Sequence, residues 1–536
     1  MKRDDIILAQ DLCMPKDSYI NQNIFVIGGS GVRKSFSLIG PNIMQASSSY
    51  VINDTSGGLY KEYGGFLEYM GYKVRCLNLI NTEESFHYNP FAYIHSDTDI
   101  EKLAGALISN TTSPDHPNGD VFWDRSELIL LVTLIAYLRD YGPKENQNFS
   151  NVIQILRAAV MDKNADSGKS ELDRIFETIE QSDPESFTAK CYKTFKLCAG
   201  RTRKGVLSSC AVRLQPFALE NMARLTDTDD IDLDSIGDEK TALFIIMPTG
   251  EKTLNFLAAI LYQQLFGRML DYCSNYAEFS QLVVDAEDQV VRCYRAGSPE
   301  ESKRQEKEAQ AFLERAKNGH IQKNETLGRY ELVAEDRELF GYRGSQEEAE
   351  KIISLIRNGG HVTTNKERCG RGHRLPVHTM VIIDGFANIG RIPEFDQNIA
   401  KIGKYEISVM LIVRSLAQIK NLYKDDWPDI IGNCATTIYL GGGADSVFVE
   451  WFLKRMNKNA PANVKNRRRF PFALWWKRKT EMYTESQIRT LSEDECIVIT
   501  GSYSSESVFI KKKYSALDHP ARKLVEKLGP YSFSAQ

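Results

Sequence analysis

Short apolar runs separated by glycine turns and amphipathic stretches set the pattern of the first 80 residues. Ile24-Phe-Val-Ile27 runs into Gly28-Gly-Ser-Gly31, which predicts a buried strand turning sharply into a helix over Lys34 to Ala46. Tyr50 to Asn53 predicts a second strand, Leu59 to Met70 a helix, and Lys73 to Leu79 a third strand. Strands alternating with helices in this way are the start of a doubly wound, mainly parallel α/β sheet with helices on both faces.

From about residue 97 to 225 the period changes. Leu128 to Leu138, Val152 to Val160, Leu172 to Ile179 and Val206 to Leu214 carry apolar residues at helical spacing, which predicts an all-α excursion. Strand character returns at Ala242 to Met247, followed by a helix over Leu254 to Leu270, so the sheet resumes. Residues 285–374 break the composition again: a charged helix around Glu300 to Glu308, a hairpin over Arg329 to Tyr342 and a helix over Gln346 to Arg357 predict a small folded α+β insert. Thr379 to Asp384, Ile407 to Val413 and Thr436 to Leu440 return to the sheet, and Glu495 to Ile499 with Ser507 to Ile510 predicts a last strand pair.

Composition narrows the class. The 536 residues, 42% hydrophobic and 26% charged, are those of a globular chain of several domains and exclude disorder and collagen. Lys and Arg number 67 against 71 Asp and Glu, a net charge of −4, so any nucleic-acid partner must be held by a local patch. The ten cysteines form no C-x-x-C pair, which removes the usual zinc spacing and points to reduced thiols. No stretch is long and apolar enough to span a bilayer, and no signal peptide is visible.

The chemistry concentrates in Gly28-Gly-Ser-Gly-Val-Arg-Lys-Ser35, between a strand and a helix. The phosphate-loop pattern G-x-x-x-x-G-K-[ST] is met at Gly28, Lys34 and Ser35 and broken at Arg33. In an intact loop the backbone N–H groups of Gly28, Gly29, Ser30 and Gly31 cradle phosphate, Lys34 neutralises it and Ser35 ligates Mg²⁺. Arg33 either blocks the cradle or swings out and adds charge. The other reading is an ordinary strand–helix turn that carries Lys-Ser. Met380-Val-Ile-Ile-Asp384 supplies the apolar strand ending in an acid that such a site needs, with Asp384 a second metal group, or else a strand-end turn residue. The next position, where a water-activating acid is expected, is Gly385. Loss of a general base removes on the order of 10² to 10⁴ in rate, so hydrolysis is expected to be slow.

Arg467, Arg468, Arg469, Lys477 and Arg478 surround Trp475 and Trp476 with no acid among them. That mixture suits stacking on single-stranded nucleic acid, lipid head groups, or a solvated basic loop with its aromatics packed inward. A second basic cluster, Arg201 to Lys204 with Arg213, reads as a solvated helix face.

Phe25 to Gly31, Pro41 to Gln45, Val51 to Asp54, Tyr88-Asn-Pro-Phe91, Phe122-Trp123, Ile383-Asp-Gly-Phe-Ala-Asn-Ile-Gly390, Ser415 to Lys420, Gly432 to Cys434 and Tyr439 to Gly442 together resemble a coupling protein of type IV secretion. The chain is most similar to TraG-type conjugal transfer ATPases of Gram-positive mobile elements, over nearly its whole length except the 285–374 insert and the 460–480 stretch. The resemblance implies a RecA-like P-loop nucleotide-binding domain, in three parts here (1–96, 239–284 and 375–536), interrupted by an all-α domain at 97–238; the small insert at 285–374 is read from its composition and lies outside the resemblance. It also implies ATP and Mg²⁺ as cofactors, and single-stranded DNA with bound relaxase and the secretion-channel proteins as partners. Assembly as a hexameric ring, homogeneous or mixed, is implied as well. A membrane anchor is implied upstream, placing the protein at the cytoplasmic face of the plasma membrane, or free in the cytoplasm if the chain is complete as given.

Departures from the family gather at the site. Arg33 and Gly385 replace a glycine and an acid, Thr55, Ser56 and Gly58 stand where Pro, Lys and Glu are usual, Arg414 replaces a Gln and Ala435 an Asp. Lys34, Ser35 and Asp384 remain the phosphate and metal residues, Gln418 is a candidate sensor of nucleotide state, and Arg414 a candidate contact to a γ-phosphate. The expectation is a coupling protein that binds ATP–Mg²⁺ with little or no hydrolysis; the alternative is a catalytically inactive docking module for relaxase or DNA.

Overall fold

Nine strands form the central sheet of the computed structural model. In chain order they are β1 (Ile24–Ile27), β2 (Ser49–Asp54), β3 (Lys73–Asn78), β4 (Thr241–Ile246), β5 (Thr379–Asp384), β6 (Ile407–Val413), β7 (Thr436–Tyr439), β8 (Glu495–Ser502) and β9 (Ser505–Lys512). The spatial order is β9-β8-β7-β1-β6-β5-β2-β4-β3. The seven strands from β7 to β3 pair in parallel, and β8 and β9 add an antiparallel edge. The structure describes residues 5–15, 21–112, 121–161, 170–198, 200–248, 254–274, 279–287, 290–296, 299–324, 329–334, 337–342, 345–365, 374–442, 446–456, 484–502 and 505–533.

Parallel strands covered on both faces are apolar throughout, and β6, Ile-Ser-Val-Met-Leu-Ile-Val, is buried at every position. Because side chains alternate, the two faces feed different cores. Phe25, Ile27, Val51, Val381, Ile383, Leu411 and Val413 pack into one cluster. Ile24, Val26, Ile52, Met380, Ile382, Met410 and Ile412 pack into the other, beneath residues of the 35–44, 58–69 and 522–528 helices. Each fully buried Leu or Ile side chain contributes roughly 1.5–3 kcal/mol, so these faces fix the strand register firmly.

The first cluster continues without a break into the helices between β3 and β4. These are Asp97–Thr111, Val121–Tyr141, Phe149–Met161, Glu171–Ser182, Phe187–Phe195, Gly200–Arg213 and Glu220–Leu225. Leu130, Leu131, Leu134, Ile135 and Leu138 of the second helix are buried, as the apolar run predicts. Arg203 and Arg213 are not a solvated face. Arg213 pairs with buried Glu127 at 2.7 Å, and Arg203 pairs with Asp173 at 3.0 Å.

The helix expected over 34–46 is divided. Ser35–Ile39 forms a π-helical turn in which the Gly40 N–H reaches the Ser35 carbonyl, and an α-helix follows over Gly40–Met44. Pro41 has no N–H to donate into the preceding turn, which removes one α-type bond at this point.

The insert is richer in strands than its sequence suggests and begins earlier. Phe279–Val284 pairs antiparallel with Val290–Ala296 on one side and His361–Asn365 on the other. A second three-stranded sheet joins His320–Asn324, Arg329–Ala334 and Arg337–Tyr342. The helices Pro299–Asn318 and Gln346–Gly359 cover a separate small core around Val283, Phe312, Leu313, Leu332 and Ile356.

Candidate nucleotide site

Three strand ends meet at one edge of the sheet. β6 lies between β1 and β5, with Val413 in register with Ile27 and Ile412 with Asp384. The glycine loop leaving β1 is tied down at once, since the Gly28 N–H donates to the Val413 carbonyl at 3.1 Å and the Gly29 N–H to the Gly441 carbonyl at 3.0 Å. A Cβ at position 29 would stand 2.9 Å from the Gly442 carbonyl carbon, so close backbone approach requires glycine there. Gly28 and Gly29 are buried under the loop, while Ser30 and Gly31 are exposed at its tip.

A cavity of about 380 Å³ opens where these ends converge, lined by Arg33, Lys34, Ser35, Thr55, Asp384 and Arg414 among others. Gly31 also lines it; Gly28, Gly29 and Ser30 do not. Lys34 is half-buried and donates through Nζ to the Gly29 carbonyl at 2.9 Å and the Gly28 carbonyl at 3.3 Å. Burial lowers its pKa, an effect that Asp384 opposes and Arg414 reinforces. Burial raises the Asp384 pKa, the Lys34 charge pulls it back, and Asp54 raises it further. The ammonium and the carboxylate therefore feel one another across the cavity, each partly offsetting the push of burial toward the other's neutral form.

Arg33 departs from the family pattern and also from ordinary backbone geometry. Its φ is +59°, the left-handed region in which the usual glycine is unstrained. The conformation is held by Ser37, whose N–H and hydroxyl both donate to the Arg33 carbonyl at 2.8 Å. Arg33 is exposed and stands on the lining of the cavity.

Gly385 is also left-handed, at φ +73°, and a Cβ there would meet Asn388 Nδ2 at 2.8 Å. Asp54 does not replace the missing acid. It is buried, and its oxygens accept the N–H groups of Ser56 at 3.2 Å and Tyr60 at 2.9 Å. Asp384 is consequently the single carboxylate among the residues lining the cavity.

Gln418 is half-buried and does not line the cavity; its amide oxygen accepts the Arg414 N–H at 3.2 Å. Asn388 and Asn53 carry no phosphate-loop or metal signal of their own in the sequence. Asn388 lines the cavity, and its signal was the last position of Asp384-Gly-Phe-Ala-Asn388. Arg467, Arg468, Arg469, Trp475, Trp476, Lys477 and Arg478 lie outside the described residues.

The residues present fit a nucleotide. A glycine loop follows one strand, a lysine and a hydroxyl follow the loop, and an aspartate ends a strand one place removed, the arrangement of a RecA-like P-loop nucleotide-binding protein. The chain belongs to the type IV secretory system conjugative DNA transfer family, whose family model matches residues 5–284. A second family model, the TraM recognition site of TraD and TraG, matches residues 378–497. The expectation of a conjugative coupling protein is borne out by that membership.

Among solved structures the chain is similar to the plasmid coupling protein TrwB in complex with the non-hydrolysable GTP analogue GDPNP. Identity is 12% and the TM-score 0.55, over 96% of this chain and 90% of that one. It is similar also to the bacterial conjugative coupling protein TrwBdeltaN70 in its trigonal form with sulphate, at 13% identity and TM-score 0.55, over 97% and 92%. TrwB with ADP and Mg²⁺ matches at 12% identity and TM-score 0.52, over 97% and 92%. At these identities the likeness is one of fold. No curated protein sequence matches the chain. No described helix is long and apolar enough to cross a membrane.

Proposed function

We propose that this conjugative transfer protein binds ATP at the loop from Gly28 to Ser35, opposite Asp384, and turns it over poorly or not at all. The observation that carries the reading is the convergence of Lys34, Ser35 and Asp384 on one cavity whose lining has no second carboxylate. Lys34 neutralises phosphate, and the exposed Ser35 hydroxyl and Asp384 are the groups that would hold Mg²⁺, whose contribution when bound is to offset phosphate charge. With Gly385 where a base is expected and Asp54 bound to the main chain, no carboxylate lining the cavity besides Asp384 can orient or deprotonate water.

In this reading ATP is a structural ligand that orders the strand ends. The protein brings relaxase-bound single-stranded DNA to the secretion channel at the cytoplasmic face of the membrane, as one subunit of a hexameric or mixed ring. TrwB bound to nucleotides and the match to a TraM recognition site over 378–497 support nucleotide binding and partner docking respectively. The test is ATP affinity by calorimetry beside phosphate release with Mg²⁺ and single-stranded DNA, for the protein and its Lys34→Ala variant. The expected result is binding that Lys34→Ala abolishes and turnover no higher than in that variant. Turnover that Lys34→Ala removes would mean an active motor.

A further inference from the structure

The cavity is charged in one sense. Arg33, Lys34 and Arg414 line it against Asp384 alone. Arg414 leaves the end of β6, between the strand that feeds the loop and the strand that ends in Asp384. Its main chain is fixed on both sides, by the Val413 carbonyl accepting from Gly28 and by the Gln418 amide oxygen accepting the Arg414 N–H. Arg414 is exposed and within 4 Å of no carboxylate oxygen of a described residue, while its charge reaches Asp384 across the cavity and favours the ionised carboxyl. A fixed backbone with an unpaired planar cation, beside a lysine on a phosphate loop, matches the fork geometry by which arginine takes two phosphate oxygens.

Nucleoside triphosphate carries about four negative charges at neutral pH, and a site with one cation and several carboxylates needs a divalent ion to receive it. Here the balance is reversed, because position 385 has no side chain and Asp54 is occupied by main-chain N–H groups. We infer that Arg414 binds the phosphate chain of a nucleoside triphosphate from within the same subunit and takes over most of the divalent cation's role in binding. ATP then binds nearly as well without Mg²⁺ as with it. The inference rests on the nucleotide-binding reading above and deepens it.

The experiment is calorimetric titration of the full chain with ATP, once in Mg²⁺ and once in EDTA, for the unmodified protein, Arg414→Gln and Lys34→Ala, with circular dichroism confirming that each is folded. The expected result is an affinity for the unmodified protein that changes by less than about threefold on chelation. In Arg414→Gln it falls by about tenfold or more in EDTA, the loss of one charge-assisted contact. If chelation weakens the unmodified protein as much as Arg414→Gln, Arg414 does not substitute for the ion, and the nucleotide site itself stands. If the folded, unmodified protein binds no ATP in either buffer, the nucleotide site falls and this inference with it. An Arg414→Lys variant separates positioning from charge: a point cation restores only part of the EDTA affinity if bidentate geometry matters.

Discussion

Asn53 donates through Nδ2 to the main-chain carbonyl of Asp384 at 2.6 Å, tying the end of β2 to the end of β5 at the point where the Asp384 carboxylate leaves the sheet. Asn53 is fully buried and in register with Ile383, while Asp384 at the other end of the bond is half-buried beside the cavity. Removing it leaves the carbonyl unsatisfied and frees the turn into Gly385. The expected effect of Asn53→Ala is a loss of about 1–3 kcal/mol, read as a lower urea midpoint with unchanged slope. ATP affinity should fall with it, because Asp384 loses its anchor. An unchanged affinity would show that Asp384 is positioned by the strand alone.

Arg33 holds a left-handed backbone that an L-residue adopts at roughly 1–2 kcal/mol. Replacing it by glycine removes that strain but gives the unfolded chain more freedom, an opposing term of about 0.4–1 kcal/mol. Arg33→Gly is therefore expected to be neutral to slightly stabilising in chemical denaturation. Arg33→Val, branched at Cβ, should destabilise clearly. A loss of stability in Arg33→Gly would mean that the exposed guanidinium makes a contact outweighing the strain.

Much of this arrangement was legible in the residues. The apolar runs located β1, β5 and β6 to the residue and β2, β4 and β7 to within one at either end, because a strand buried on both faces has few polar positions to blur it. That Lys34, Ser35 and Asp384 line one cavity follows from their places just after β1 and at the end of β5, which the sequence pattern already locates. The insert was legible only in part. Its strands at 279–284, 290–296, 320–324 and 361–365 are short and mixed in polarity, and they are held by a small core built from residues far apart in sequence. The left-handed turn at Arg33 and the roles of Arg203 and Arg213 depend on partners brought in by the fold, which no local pattern records.

Restoring the acid after Asp384 is not a clean repair. At Gly385 the backbone is left-handed, and a new Cβ would stand 2.8 Å from Asn388 Nδ2. Gly385→Glu alone should lower stability by about 1–3 kcal/mol, with no gain in phosphate release. Combining it with Asn388→Gly removes the overlap but not the φ penalty, so part of the stability should return. Hydrolysis appearing in Gly385→Glu/Asn388→Gly would identify position 385 as the missing step. Its absence would place the defect elsewhere.

Arg213 is largely covered, its side chain 10% exposed, and it is bound to Glu127 and also to the Ile108 carbonyl at 3.0 Å and the Thr111 hydroxyl at 2.7 Å. It thus closes the C-terminal turn of the 97–111 helix while neutralising a carboxylate that is itself buried. Arg213→Met strands that charge and is expected to destabilise by about 3–5 kcal/mol. The double variant Arg213→Met/Glu127→Leu should recover most of the loss, since an apolar pair of similar volume pays no desolvation. A double variant no better than the single one would assign the stability to the bonds on Ile108 and Thr111.

Asp229 lies where the chain returns from the helices toward β4. Burial pushes its carboxyl up to about 6, although the Tyr93 hydroxyl at 2.6 Å and the N–H groups of Asp232 at 3.0 Å and Asn89 at 3.2 Å all favour the ionised form. The unfolded chain titrates this group near the ordinary 3.8. Between those values the folded protein holds a proton that the unfolded chain has lost, so this group makes stability rise as pH falls from above 6 toward 4. Above pH 6 its ionised form is a standing penalty, on the order of 3 kcal/mol. The Asp229→Asn variant carries no such penalty, and its amide oxygen can still accept an N–H. Urea midpoints at pH 8 and pH 5 should show the variant gaining on the unmodified protein at the higher pH, with the difference shrinking at the lower. A difference that does not change between the two would mean that Asp229 titrates normally and that its three hydrogen bonds fully offset its burial.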